Sequence, residues 1–140
     1  MKNRSIRSLK LSAVLTLAIL LPACDDAIGV GEDADITRVV LTIGGQLVVF
    51  NLGGAQSSFT LSEGTHPVDA IAYSGNDRLD LGGDFELAIN SNDEDVAIFS
   101  LLSNLSGTLV TAPGNASLSV SIVRGGDDEF GPFDVSVTVD

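Results

Sequence analysis

Between Ile36 and the end of the chain, short runs of alternating apolar and polar residues are cut apart by glycine, asparagine and aspartate. In residues 117–123, Leu118, Val120 and Ile122 fall on one parity and Ser117, Ser119 and Ser121 on the other. In residues 133–139, Phe133, Val135, Val137 and Val139 oppose Asp134, Ser136 and Thr138. Side chains of a strand project alternately to its two faces. A period of two with one apolar parity therefore predicts strands that set one face against a core and the other in water, as in antiparallel sheets. Further strands are predicted over residues 36–43, 46–51, 57–61, 68–73, 85–90, 96–101 and 107–111, nine in all. Gly44-Gly45 between the first two runs predicts a two-residue hairpin, because both glycines can take φ > 0. Val68, Ala70 and Ala72, with Phe85, Leu87 and Ile89, are further candidates for the core. Beyond the leader no window has a helical period. The expected fold is all-β, an antiparallel β-sandwich rather than a barrel, given turn residues at short spacing.

The first 24 residues follow different rules. Lys2, Arg4, Arg7 and Lys10 precede an uncharged apolar block from Leu11 to Leu21. A membrane-spanning helix needs about 20 apolar residues, so this block is too short to span and suits the middle of a secretory signal. It ends in Leu21-Pro22-Ala23-Cys24, which resembles the lipobox of bacterial lipoproteins and contains the only cysteine. The resemblance implies cleavage between Ala23 and Cys24 and a diacylglycerol thioether on Cys24. Such acyl chains hold a protein on a membrane, each buried methylene contributing about 0.8 kcal/mol. The expected organisation is a signal peptide over residues 1–23, a lipidated cysteine and acidic tether over 24–35, and one β-sandwich domain over 36–140. The tether would hold the domain roughly 17 to 20 Å from the lipid on average. The implied location is the cell membrane or the outer membrane, with the domain outside the cytoplasm. Asp25 after the cysteine resembles the enterobacterial signal for inner-membrane retention.

Cleavage before Cys24 changes the charge balance. It removes four of seven basic residues and no acidic one, leaving Arg38, Arg78 and Arg124 against nineteen Asp and Glu, net −16. Nucleic acid and anionic lipid headgroups are bound through Lys and Arg, so neither is an expected partner of the domain surface. Cationic partners, a divalent metal or simple solubility remain. With Cys24 lipidated no disulfide can form, and the fold must rest on its apolar core.

A second resemblance concerns the domain. Residues 92–100 read Asn-Asp-Glu-Asp-Val-Ala-Ile-Phe-Ser, and residues 107–120 read Gly-Thr-Leu-Val-Thr-Ala-Pro-Gly-Asn-Ala-Ser-Leu-Ser-Val. Together they are similar to the end of bacterial immunoglobulin-like domains, with one extra residue before Val96 and no tryptophan upstream. The resemblance implies an immunoglobulin-like fold and a spacer or adhesive module of the cell envelope that meets a protein partner. It carries no catalytic residues.

Chemistry-bearing residues are few. Asn76, Asp77, Asp80 and Asp84 form one presumed loop cluster, Asn90, Asn92, Asp93, Glu94 and Asp95 a second, and Asp127, Asp128 and Glu129 a third. Calcium takes six to eight oxygen ligands, which converging loops at one end of a sandwich could supply. Asp77, Asp80, Asp93 and Asp95 are the candidate ligands, although the spacing of a regular calcium loop is absent. The alternative is that these residues are solvated turns, where Asp and Asn bond their own backbone. His66, the only histidine, precedes Pro67 and reads as a turn residue. No glycine-x-serine-x-glycine elbow exists for a hydrolytic triad, and one histidine is too little for zinc. Gly53-Gly54, Gly82-Gly83 and Gly125-Gly126 read as turns rather than phosphate cradles, since no helix follows them. The two sequons at Asn104 and Asn115 read as chance matches. Three functions follow in order: a non-enzymatic lipoprotein displaying an interaction or structural module, a lipoprotein that binds a ligand such as calcium, and an enzyme. The last lacks a recognisable base and nucleophile, and no cofactor beyond the covalent lipid is expected.

Overall fold

The structure is a computed structural model, which describes residues 35–55 and 58–140. Ala23, Cys24, the rest of the leader and all of the tether before Asp35 lie outside the described residues. The described chain is all-β and forms two packed sheets. Its strands are β1 (Arg38–Ile43), β2 (Gln46–Asn51), β3 (Gly54–Ala55), β4 (Ser58–Leu61), β5 (Gly64–Ser74), β6 (Asp77–Arg78), β7 (Phe85–Ser91), β8 (Ala97–Ser103), β9 (Ser106–Thr111), β10 (Gly114–Arg124) and β11 (Asp127–Val139). One sheet has the order β3-β2-β1-β5-β9-β8, with β6 appended to β5, and the other β4-β11-β10-β7. All pairs are antiparallel except β4 with β11.

The alternation read from the sequence is what packs the layers. Leu118, Val120 and Ile122 of β10, and Val135, Val137 and Val139 of β11, are buried against Val39, Leu41, Val48, Phe50, Val68 and Leu109 of the facing sheet. Phe133 is only partly buried, and its ring packs between those of Phe50 and Phe130, at centroid distances of 6.1 and 4.9 Å. The Gly44-Gly45 hairpin forms as expected, with φ of 56° and 86° and Ile43 paired to Gln46.

All nine expected strands are present, and three of them, β5, β10 and β11, are longer than the pattern suggested by four residues or more. β5 starts at Gly64 rather than Val68, so His66 and Pro67 are strand residues and not a loop. Proline is tolerated because β1 ends at Ile43, opposite Val68: on that side Pro67 meets the hairpin turn, where its carbonyl accepts from Gly44 N at 3.0 Å, while on the other side it is paired with Thr108 of β9. β11 starts at Asp127 rather than Phe133, because Gly131 and Pro132 are accommodated in a bulge. Phe130 pairs with Ile122 and Phe133 with Val120, leaving two residues opposite Ser121. The acids Asp127, Asp128 and Glu129 therefore begin a strand.

A feature unread in the sequence is an arch that occurs twice. β4 leads into β5 and β9 into β10 by crossing between sheets through short turns that end at Gly64 and Gly114, fifty residues apart. These glycines have φ of 141° and 150°, conformations that L side chains rarely adopt. Both arches lie at the end of the sandwich with the Gly44-Gly45 turn. The β5–β6 and β10–β11 turns, and the start of β1, lie at the opposite end.

Candidate functional site

His66 projects from β5 with the parity of the core residues Val68, Ala70 and Ala72, at the arch end of the sandwich. Its Nε2 lies 2.9 Å from the Ser62 carbonyl and 3.2 Å from Thr111 Oγ1. A carbonyl only accepts, so Nε2 carries the proton in this arrangement. The Thr111 hydroxyl, on a residue only 3% exposed, donates to Ser62 O at 3.0 Å and lies 3.2 Å from Gly64 O. This node ties the β4–β5 arch to the last residue of β9. The histidine's contacts are a main-chain carbonyl and a threonine hydroxyl. They do not build a proton relay to a nucleophile, and His66 acts as a strut.

The four calcium candidates divide between the two ends. Asp77 starts β6 at the end where β1 begins, and Asp80 follows that strand; both are exposed. Asp93 and Asp95 lie in the β7–β8 connection at the arch end. β7 separates the two groups, and seven strand residues span about 20 Å, so one ion cannot bind all four. Asp93 is engaged within its own turn: Oδ1 accepts from Asp95 N at 3.1 Å, and its carbonyl accepts from Ser91 Oγ at 2.8 Å and from Ala97 N at 3.0 Å. Asn92 Oδ1 accepts from Ser117 N at 2.7 Å, locking the same connection to β10. Among the described residues, no group of three or more His, Cys, Asp and Glu side chains is arranged to hold a metal. Of the third acidic group, Glu129 pairs with Arg124 at 3.2 Å, and Arg124 also lies over the Phe85 ring.

A cleft of about 210 Å³ lies between the edges of the two sheets, lined by residues 89–91 of β7, residues 97–99 of β8, and Glu94. Its only carboxylate is Glu94, and its Ser91 hydroxyl is held by the Asp93 turn. General acid–base or nucleophilic chemistry needs two or more mutually placed groups, and this lining does not supply them. The sequence reading missed this cleft because it lies between strands that never pair. Its one visible signal is the uncharged run of β8.

All three arginines of the described chain stand towards the end where β1 begins: Arg38 at the start of β1, Arg78 in β6 and Arg124 at the end of β10. Arg38 stacks on Tyr73 with its Cζ 4.3 Å from the ring centroid. The arch end carries Glu63, Asp93, Glu94, Asp95 and Asp140 without a basic residue. No family model, curated protein or solved structure matches this chain.

Proposed function

We propose that this protein is a membrane-anchored lipoprotein of the bacterial envelope whose β-sandwich is a non-catalytic, immunoglobulin-like interaction or structural domain. The observation that carries the reading is the succession of a basic start, a short apolar block and Leu21-Pro22-Ala23-Cys24 ahead of an acidic linker. The geometry of the described domain is compatible with it. β1 begins at the end of the sandwich away from the arches, so a tether entering there leaves the arch end, with its acids, facing outward from the lipid. The three arginines then lie on the lipid-facing side and offset part of the negative charge there. A two-layer sandwich whose chain repeatedly crosses between sheets supports the immunoglobulin-like assignment, as does the similarity over residues 92–120.

Expression of the full chain in a bacterium fed an alkyne-bearing palmitate, followed by fractionation, tests the reading. The wild type is expected to be labelled and recovered with membranes, and Cys24→Ser to lose the label and accumulate at precursor size. An unlabelled wild-type chain recovered in the soluble fraction would overturn it.

A further inference from the structure

We propose that β8 is a self-association edge, along which two copies of this chain pair antiparallel about a two-fold axis through Ser100. The proposal rests on the strand's edge, its charge and its pattern, and does not depend on the lipid anchor. Among the described residues, β8 ends the larger sheet and pairs only with β9. Ala112 N donates to Val96 O at 2.9 Å, which sets the phase of that ladder. Hydrogen-bonded pairs alternate in an antiparallel ladder, so Ile98 and Ser100 bond towards β9, while Phe99 and Leu101 direct N–H and C=O outward.

Charge singles out this edge. From Val96 to Val123 the chain has no charged residue, although the whole chain carries net −12. Two such chains repel over most of their surfaces, and approach is least opposed where both lack charge. The other edges are blunted. β3 has two residues, Gln46 Nε2 caps β4 by donating to Thr60 O, and β7 carries Glu86 and already gives Leu87 N to Asn104 O. Exposed apolar side chains concentrate on the uncharged edge: Ile98 is 45% exposed, Leu102 72% and, on β9 opposite Ile98, Val110 44%. The regular part of this edge runs from Ala97 to Leu101, ahead of a register shift between Leu101 and Ser103, and a strand edge without charge or proline is a template for strand addition.

The occupant is a second copy because the pattern is self-complementary about Ser100. That centre pairs Phe99 with Leu101 of the other chain, and these are the two residues whose backbone groups point outward. It brings Ile98 towards the other chain's Leu102, the residue that the register shift between Leu101 and Ser103 leaves without a β9 partner, and both side chains are exposed in the single domain. It also places Glu94 and Asp95 of the two copies at opposite ends of the paired strands. A contact of this length falls at the small end of specific interfaces, so free chains associate weakly and chains held on one membrane associate more strongly.

The test is cysteine cross-linking of the full chain on membranes and in detergent, comparing Ser100→Cys with Ser136→Cys, which is exposed on the outer face of the other sheet. Chain carrying only the native Cys24 is the baseline. At the two-fold axis the Ser100 positions form a non-hydrogen-bonded pair, with Cα atoms about 4.5 Å apart, within disulfide range. Mild oxidation is expected to convert Ser100→Cys to a covalent dimer at least tenfold faster than Ser136→Cys, and Leu102→Lys in the same chain is expected to abolish the difference. Equal rates for the two positions would overturn the proposal. Preferential cross-linking that Leu102→Lys leaves unchanged would also overturn it.

Discussion

Thr111→Val isolates the hydroxyl at the centre of the arch node. The side chain is 3% exposed and valine has nearly its shape, so no cavity opens and the effect reads the hydrogen bonding alone. The native hydroxyl donates to Ser62 O at 3.0 Å, with Gly64 O at 3.2 Å, and stands 3.2 Å from His66 Nε2. A net buried hydrogen bond contributes about 0.5 to 1.5 kcal/mol, and a buried acceptor left without a donor costs about 1 to 3 kcal/mol. Ser62 O keeps His66 as a donor, while Gly64 is only half-buried and water reaches its carbonyl. The lower part of that range therefore applies, about 1 to 2 kcal/mol. In a domain of this size that corresponds to a midpoint lowered by roughly 5 to 10 °C. The assay is urea and thermal unfolding of the full chain as wild type, Thr111→Val, His66→Ala and the double variant. Because Ser62 O keeps one of its two donors in either single variant and loses both in the double, the double loss should exceed the summed single losses by at least about 0.5 kcal/mol. Additive losses, or a Thr111→Val chain as stable as the wild type, would refute the node.

Other substitutions probe separate parts of the fold. Leu118→Ala, at a fully buried position in the middle of β10, should lower stability by about 3 to 5 kcal/mol in denaturant unfolding. A Cβ at Gly107 would meet the Phe99 ring at 2.5 Å and the Ser100 carbonyl more closely still, so Gly107→Ala should lose about 1 to 3 kcal/mol, with amide exchange accelerating first in β8. Gly44→Ala combines φ of +56° with a Cβ 2.6 Å from His66 Nδ1. Its loss should exceed the roughly 1 to 2 kcal/mol of a left-handed alanine, and much of the excess should vanish in a His66→Ala background. Millimolar calcium should raise the thermal midpoint no more than monovalent salt of matched ionic strength does. An additional rise removed by Asp93→Asn or Asp77→Asn would instead identify an ion site at one end of the sandwich.

Much of the fold could be read from the chain because alternation reports directly on burial. The parity of Leu118, Val120 and Ile122, and the pair Gly44-Gly45, each encode a local conformation without help from elsewhere. What escaped depends on partners distant in sequence. Pro67 is compatible with a strand only because β1 stops one position short of it, and Gly131-Pro132 only because a bulge accommodates both residues opposite Ser121. The arches were legible in principle, since Gly64 and Gly114 precede matching alternating runs fifty residues apart and Gly75 and Gly125 close both. The calcium set illustrates the opposite limit. Loop composition suggested four donors, but loops joining the same sheets from opposite sides are separated by the length of a strand, which composition does not encode.

Charge and topology together assign the surfaces of the domain. Among the described residues, the arginines sit towards the end where β1 begins, the arch end carries acids, and the β8 edge is uncharged from Ala97 to Ser103. A domain tethered at the first end presents the second to solvent and the edge to its lateral neighbours. Repulsion between the acidic tips then favours separation, while strand pairing along β8 acts over a short range and in a fixed register. On the proposed pairing, adding charge at Leu102 should tip that balance towards separate chains without unfolding either one, because this side chain is 72% exposed in the single domain.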